Sequence, residues 1–153
     1  MLDGGFPPGV HNYWSARYIG SLEDDLIDRL AEAYEAPPTP LCGIVLEPLG
    51  GAVNRVPVDA TAFHLRTGEI NLAVVARWVD PADAEKCLTW ARGVLQSIEP
   101  FAIEGRYLNY MAADEDPAAA YGAAKQSRLA EIKAKYDPTG FFRLNPGQKR
   151  ASA

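Results

Sequence analysis

This 153-residue sequence predicts an α+β fold, a mainly antiparallel sheet of about five strands with its helices packed largely on one face. Three observations predict it. A helix-period stripe comes first, strand-like runs then cluster between residues 41 and 79, and two Asp-Pro pairs, at 80–81 and 116–117, open the return helices. Strands grouped in this way do not alternate with helices one by one, as a doubly wound parallel sheet requires. Neither a Gly-x-Gly-x-x-Gly run nor a P-loop is written anywhere in the chain.

Residues 1–12 are rich in Gly and Pro and read as an irregular lead-in to a single domain over 13–147. In SLEDDLIDRLAEAYEAPP, Leu22, Leu26, Ile27, Leu30 and Tyr34 form one helical stripe. Ser21 offers a cap, Glu23, Asp24 and Asp25 suit the positive end of the helix, and Pro37-Pro38 stops it. LCGIVLEPLGGAVNRVPV reads as a hairpin, with strands near 41–47 and 53–57 around Gly50-Gly51. TAFHLR (61–66) and a run over 70–79 add two strands, the second so uniformly apolar that it belongs at the centre. Asp80-Pro81 starts a helix to about Ser97, with Cys87, Ala91, Val94, Leu95 and Ile98 on its inner face. Residues 104–110 give the last strand. A final helix opens at Asp116-Pro117, is interrupted near Gly122 and resumes with Leu129, Ile132 and Tyr136, before YDPTGFF turns Phe141 and Phe142 into the core.

Charge and composition exclude several functions. Twenty acidic against fifteen basic residues leave a net charge of −5, which repels phosphate backbones, so nucleic acid is not an expected partner. No apolar run of about 18 residues occurs, so no membrane is expected and a cytoplasmic setting is. Cys42 and Cys87 lie far apart in sequence, with no ligand spacing around them, and read as buried thiols with no metal site.

The candidate chemistry starts at EGRYLNYMAADED. In a strand, Tyr107 and Asn109 share one face and Leu108 and Tyr110 the other. On pattern alone such tyrosines are sheet residues whose hydroxyls find one partner, or else catalytic phenols that need a cation or cofactor dipole beside them. Glu47, before Pro48 and the Gly pair, is a turn carboxylate that faces either solvent or a pocket. Asp114, Glu115 and Asp116 read as helix-start acids, Trp14, Trp78 and Trp90 as core, and His11 and His64 show no triad arrangement.

The run from RYLNY through AYGAAKQSRLAEIKAKYDPTGFFRLNPG resembles the berberine-bridge segment (about 104–147) of FAD-linked oxidases of the vanillyl-alcohol oxidase superfamily. Tyr107, Asn109, Tyr110, Tyr121, Gly122, Arg128, Leu129, Lys133, Tyr136, Asp137, Pro138, Phe142, Arg143 and Asn145 carry the resemblance in order, with Gly140 where Asn is usual. YWSARY, EPLGGAVNRV and TAFHLR are similar to the same family's substrate-binding half.

The resemblance implies half an enzyme. Hydride would pass from an alcohol, sugar or secondary metabolite to flavin and its electrons then to oxygen, with the N-terminal FAD domain absent from this chain and supplied as a partner. It implies that Tyr107, Asn109 and Asn145 contact the cofactor, that Tyr110 is the base, and that Glu47 is the second candidate for that role. Asn71 stands about where some relatives place a basic residue. FAD is then held weakly or not at all by this chain alone, and a homodimer through the bared surface is expected. The rival expectation is a catalytically silent stand-alone domain that binds a small molecule or self-associates.

Overall fold

A computed structural model describes residues 8–63, 65–66 and 70–142. Three antiparallel strands form one sheet in the order β1-β3-β2, where β1 is His11–Ile19, β2 is Gly43–Pro48 and β3 is Ile70–Trp78. Around them lie helices α1 (Asp24–Glu35), α2 (Ala84–Ile98) and α3 (Ala123–Tyr136). The fold is α+β, as expected from the sequence.

Strand β3 is buried from Asn71 to Trp78, so both of its faces are covered. Side chains alternate along it, and residues opposite one another in register share a face. Leu72, Val74, Ala76 and Trp78 point to one side and join Ile19, Leu26, Cys87, Ala91, Val94, Leu95 and Ile98 in a single core. All five inner residues expected on α2 are buried there. The other side carries Asn71, Ala73, Val75 and Arg77, flanked in register by Trp14, Ala16 and Tyr18 of β1 and by Val45 and Glu47 of β2. Polar groups collect on this second face.

Three expected strands are absent among the described residues. Residues 53–55 close a 3₁₀ turn (Val53–Arg55), and the 61–66 run, of which His64 lies outside the described residues, forms bends instead of pairing. Residues 104–110 end in another 3₁₀ turn, Leu108–Tyr110, closed by the Tyr110 amide donating to the Tyr107 carbonyl at 2.9 Å. Pro57 and the flexible Gly50-Gly51 pair remove the extended backbone that a second hairpin strand needs, and Gly51 turns the chain at φ +64°. Conversely, β1 was not expected. HNYWSARYI buries residues on both faces, so its pattern has no clean apolar–polar alternation.

Two smaller expectations also change. Ser21 donates to the Glu23 side chain at 3.2 Å rather than capping α1, and of the α1 stripe only Leu26 is buried. Phe141 and Phe142 are 78% and 65% exposed: Asp137 accepts from both of their amides and turns the chain back, leaving the rings edge to face 5.1 Å apart on the surface. Beneath the sheet, the Cys42 and Cys87 sulfurs lie 3.9 Å apart as free thiols. Burial first, and the neighbouring Cys42 next, push the Cys87 thiol up to about 11.

Candidate active site

Glu47 near the end of β2 and Asn71 near the start of β3 are partners in register, so their side chains meet on the polar face of the sheet. The Asn71 amide donates to one Glu47 oxygen at 2.7 Å and the Tyr110 hydroxyl donates to the other at 2.9 Å. Sequence reasoning named both Glu47 and Tyr110; the structure brings them into contact across 63 positions of chain. A cavity of about 470 Å³ opens beside them, walled further by Tyr18, Val53, Phe63, Arg66 and Tyr107.

The strand alternation expected for the tyrosines is corrected by the 3₁₀ turn. Residues three apart on such a turn lie on one side, so Tyr107 and Tyr110 stand together, ring centroids 5.1 Å apart, instead of facing opposite ways. Asn109 is exposed and donates to the Tyr107 hydroxyl at 3.0 Å. Trp14, expected in the core, meets Tyr110 edge to face at 5.5 Å. Asn145 lies outside the described residues.

Burial raises the Tyr110 pKa above the ordinary tyrosine value, and the hydrogen bond to Glu47, its negative charge and Tyr107 raise it further. The phenol therefore stays protonated beside Glu47. Among the described residues its charged partner is an anion, which is the opposite of what a phenolate base needs.

Two clamps hold this arrangement, and neither was read from the sequence. Arg17 of β1 donates to Glu99 at 2.6 Å and to Glu115 at 2.9 Å, while Glu99 also accepts from Arg106 at 3.0 Å. Glu115 in turn accepts from the Ser15 hydroxyl and the Ala112 amide, both at 2.8 Å. Both ends of the 106–115 segment that carries the tyrosines are thus tied to one arginine. On the far wall, Lys125 of α3 donates to the carbonyls of Val58, Thr61 and Phe63. The sequence marks Glu115 as a helix-start acid; only its contact with a residue about a hundred positions earlier reveals its use. His11 stacks on Trp78 at 5.9 Å, away from this cavity, and no cluster among the described residues could hold a metal ion.

Residues 106–147 match the family model described as "Berberine and berberine like". An FAD-linked oxidoreductase of Dictyostelium discoideum is 30% identical over 154 residues, covering 97% of this chain and 33% of that protein. The chain belongs to the berberine-bridge-like family of FAD-linked oxidoreductases. Berberine bridge enzyme-like 17 of Arabidopsis thaliana is 32% identical over 124 residues, 69% of this chain and 24% of that one. In fold, the chain is similar to wild-type BBE-like 1 of Physcomitrella patens, with a TM-score of 0.78 at 23% identity over 95% of this chain and 32% of that chain. This berberine-bridge-like chain thus spans about a third of the length of the relatives it matches.

Flavin chemistry has a fitting surface here. The exposed Asn109 amide sits beside the Tyr107 hydroxyl of the cavity wall, a donor and acceptor pair suited to the edge of a flat heteroaromatic ring. No glycine-rich phosphate turn occurs among the described residues.

Proposed function

We propose that this berberine-bridge-like chain is the substrate-binding part of an FAD-dependent oxidase, with Glu47 as the proton acceptor and Tyr110 as its neutral hydrogen-bonding partner. The observation that carries the reading is the Glu47 carboxylate, held by Asn71 and Tyr110 at the wall of a cavity. A carboxylate so placed accepts the hydroxyl proton of an alcohol, sugar or secondary metabolite as the carbon gives up hydride. FAD, when bound, would supply the hydride acceptor and the means of handing two electrons on to oxygen. Tyr110 keeps its own proton, orients the carboxylate, and with Trp14 and Tyr107 excludes water from the reacting carbon. Tyr107 and Asn109 orient the ring, with Asn145 proposed as a third contact.

A flavin-bearing domain is the proposed partner that completes the site, and the chain alone is proposed to bind FAD weakly. Isothermal titration of the chain with FAD is expected to show no submicromolar affinity. In the flavin-completed protein, Glu47→Gln is expected to slow flavin reduction by roughly 10²–10⁴-fold, the usual contribution of a positioned proton acceptor. Tyr110→Phe is expected to lose less. If stopped-flow reduction ran at the parent rate in Glu47→Gln and collapsed only in Tyr110→Phe, the base would be the phenol. Parental rates in both variants would end the proposal.

A further inference from the structure

Among the described residues, two buried polar atoms at this cavity have no partner: Asn71 Oδ1 and Arg66 Nε. The first follows from chemistry. A carboxylate can only accept, so the Asn71 amide must turn its NH₂ group to Glu47, which leaves its oxygen unused on a side chain 1% exposed. An unused buried acceptor there asks for an O–H or N–H donor next to Glu47.

Arg66 is held by three contacts. Its Nη1 donates to the Val53 carbonyl at 2.8 Å, its Nη2 to Thr61 Oγ1 at 2.7 Å, and the guanidinium lies 4.7 Å from the Phe63 ring centroid. Neither hydrogen-bond acceptor is charged, and among the described residues no carboxylate pairs with it. A fixed guanidinium with a spare Nε–H is suited to an oxyanion. The cavity between the two atoms is lined mainly by Leu49, Val53, Phe63 and the tyrosines, which suits an organic frame better than a free inorganic ion.

We propose that the site takes a hydroxy acid with an apolar or aromatic frame, its hydroxyl donating to Asn71 Oδ1 in the resting complex and turning its proton to Glu47 only as hydride leaves, and its carboxylate accepting from Arg66 Nε. The proposal rests on the oxidase reading only for which end of the ligand reacts. Both contacts are made by this chain, so binding is measured without flavin.

The probes are 3- and 4-(hydroxymethyl)benzoate, with benzyl alcohol lacking the carboxylate, 4-methylbenzoate lacking the hydroxyl, and inorganic phosphate lacking the frame. Calorimetry on the parent chain should show at least one hydroxymethylbenzoate binding about tenfold or more tighter than benzyl alcohol, as a charge-assisted hydrogen bond implies. Arg66→Gln should erase that preference, Arg66→Lys should restore part of it, and the Arg66 Nε–H resonance should move on binding in ¹⁵N NMR. Loss of the ligand hydroxyl should cost about fivefold in parent and Arg66→Gln alike, and nothing in Asn71→Leu. Thermal melts confirm that each variant folds; if Arg66→Gln does not, the Arg66 Nε–H shift in the parent decides. Equal affinity for acid and alcohol, an unmoved Arg66 resonance, phosphate binding as well as the aromatic acids, or no binding at millimolar concentration would each overturn the proposal. Flavin reduction by neutral alcohols with no preference for acids would sink this inference and leave the oxidase reading standing. Acid binding to a chain whose flavin-completed form is never reduced would do the reverse.

Discussion

Each oxygen of Glu47 accepts one hydrogen bond, from the Asn71 amide and the Tyr110 hydroxyl, so the carboxylate is fixed in direction while remaining the strongest acceptor at the cavity. Removing the Tyr110 oxygen should therefore disturb orientation more than packing. Tyr110→Phe keeps the ring against Trp14 and Tyr107, and a melt should show a loss of less than about 1.5 kcal/mol, as for other volume-conserving swaps. At this scale Glu47 and Tyr110 were legible in the sequence, the first from its place before a Pro and a Gly pair. Their contact was not, because alternation was applied to a segment that is a 3₁₀ turn. Arg66 carries no signal in the sequence, and Asn71 is marked there only by the resemblance. What marks them is an atom left without a partner, which no local pattern records.

At the scale of elements, the tyrosine-bearing segment is a strap fastened at both ends to Arg17 of the edge strand β1. Arg17→Met should free Glu99 and Glu115 together and cost about 2 kcal/mol, at the low end for breaking a partly buried charged pair because Glu99 is half exposed. Burial alone would raise the Glu99 pKa, but the Arg17 hydrogen bond and charge, with Arg106, outweigh it and hold it below the usual carboxylate range. A carboxyl lowered in the folded state stabilises fully above its unfolded pKa, and that contribution is lost as pH falls through the lowered value. The stability gap between the parent and Glu99→Gln should thus be widest near neutral pH and close in acid, which denaturant melts across pH would show. Helix α2 was read correctly because a strong 3.6-residue stripe faces the sheet. Strand β1 was missed because an edge strand that is gripped on both faces loses the period that would announce it.

The whole molecule leaves one side of α3 bare: the helix has no buried residue, and Ile132, Tyr136, Phe141 and Phe142 are all exposed. Exposed aromatic groups of this kind favour a partner, so we propose a homodimer for the isolated chain. Light scattering at tens of micromolar should give twice the monomer mass, and Phe141→Ser with Phe142→Ser should return it to one; a monomeric parent would refute the proposal. The α+β class was legible because helix and strand runs are grouped in order along the chain. Strand number was not, since whether 61–66 or 104–110 pairs depends on Lys125, which holds Thr61 and Phe63, and on Arg17, which holds Glu99 and Glu115 on either side of the second segment. The two sulfurs under the sheet have a practical consequence. Cys42 and Cys87 are sealed between β3 and α2, and the Cys87 thiol is pushed up to about 11, so the folded chain presents almost no thiolate to a labelling reagent. Dye uptake at these positions then becomes a clock for global opening, and a single cysteine introduced on the surface can be tagged without first replacing either native one.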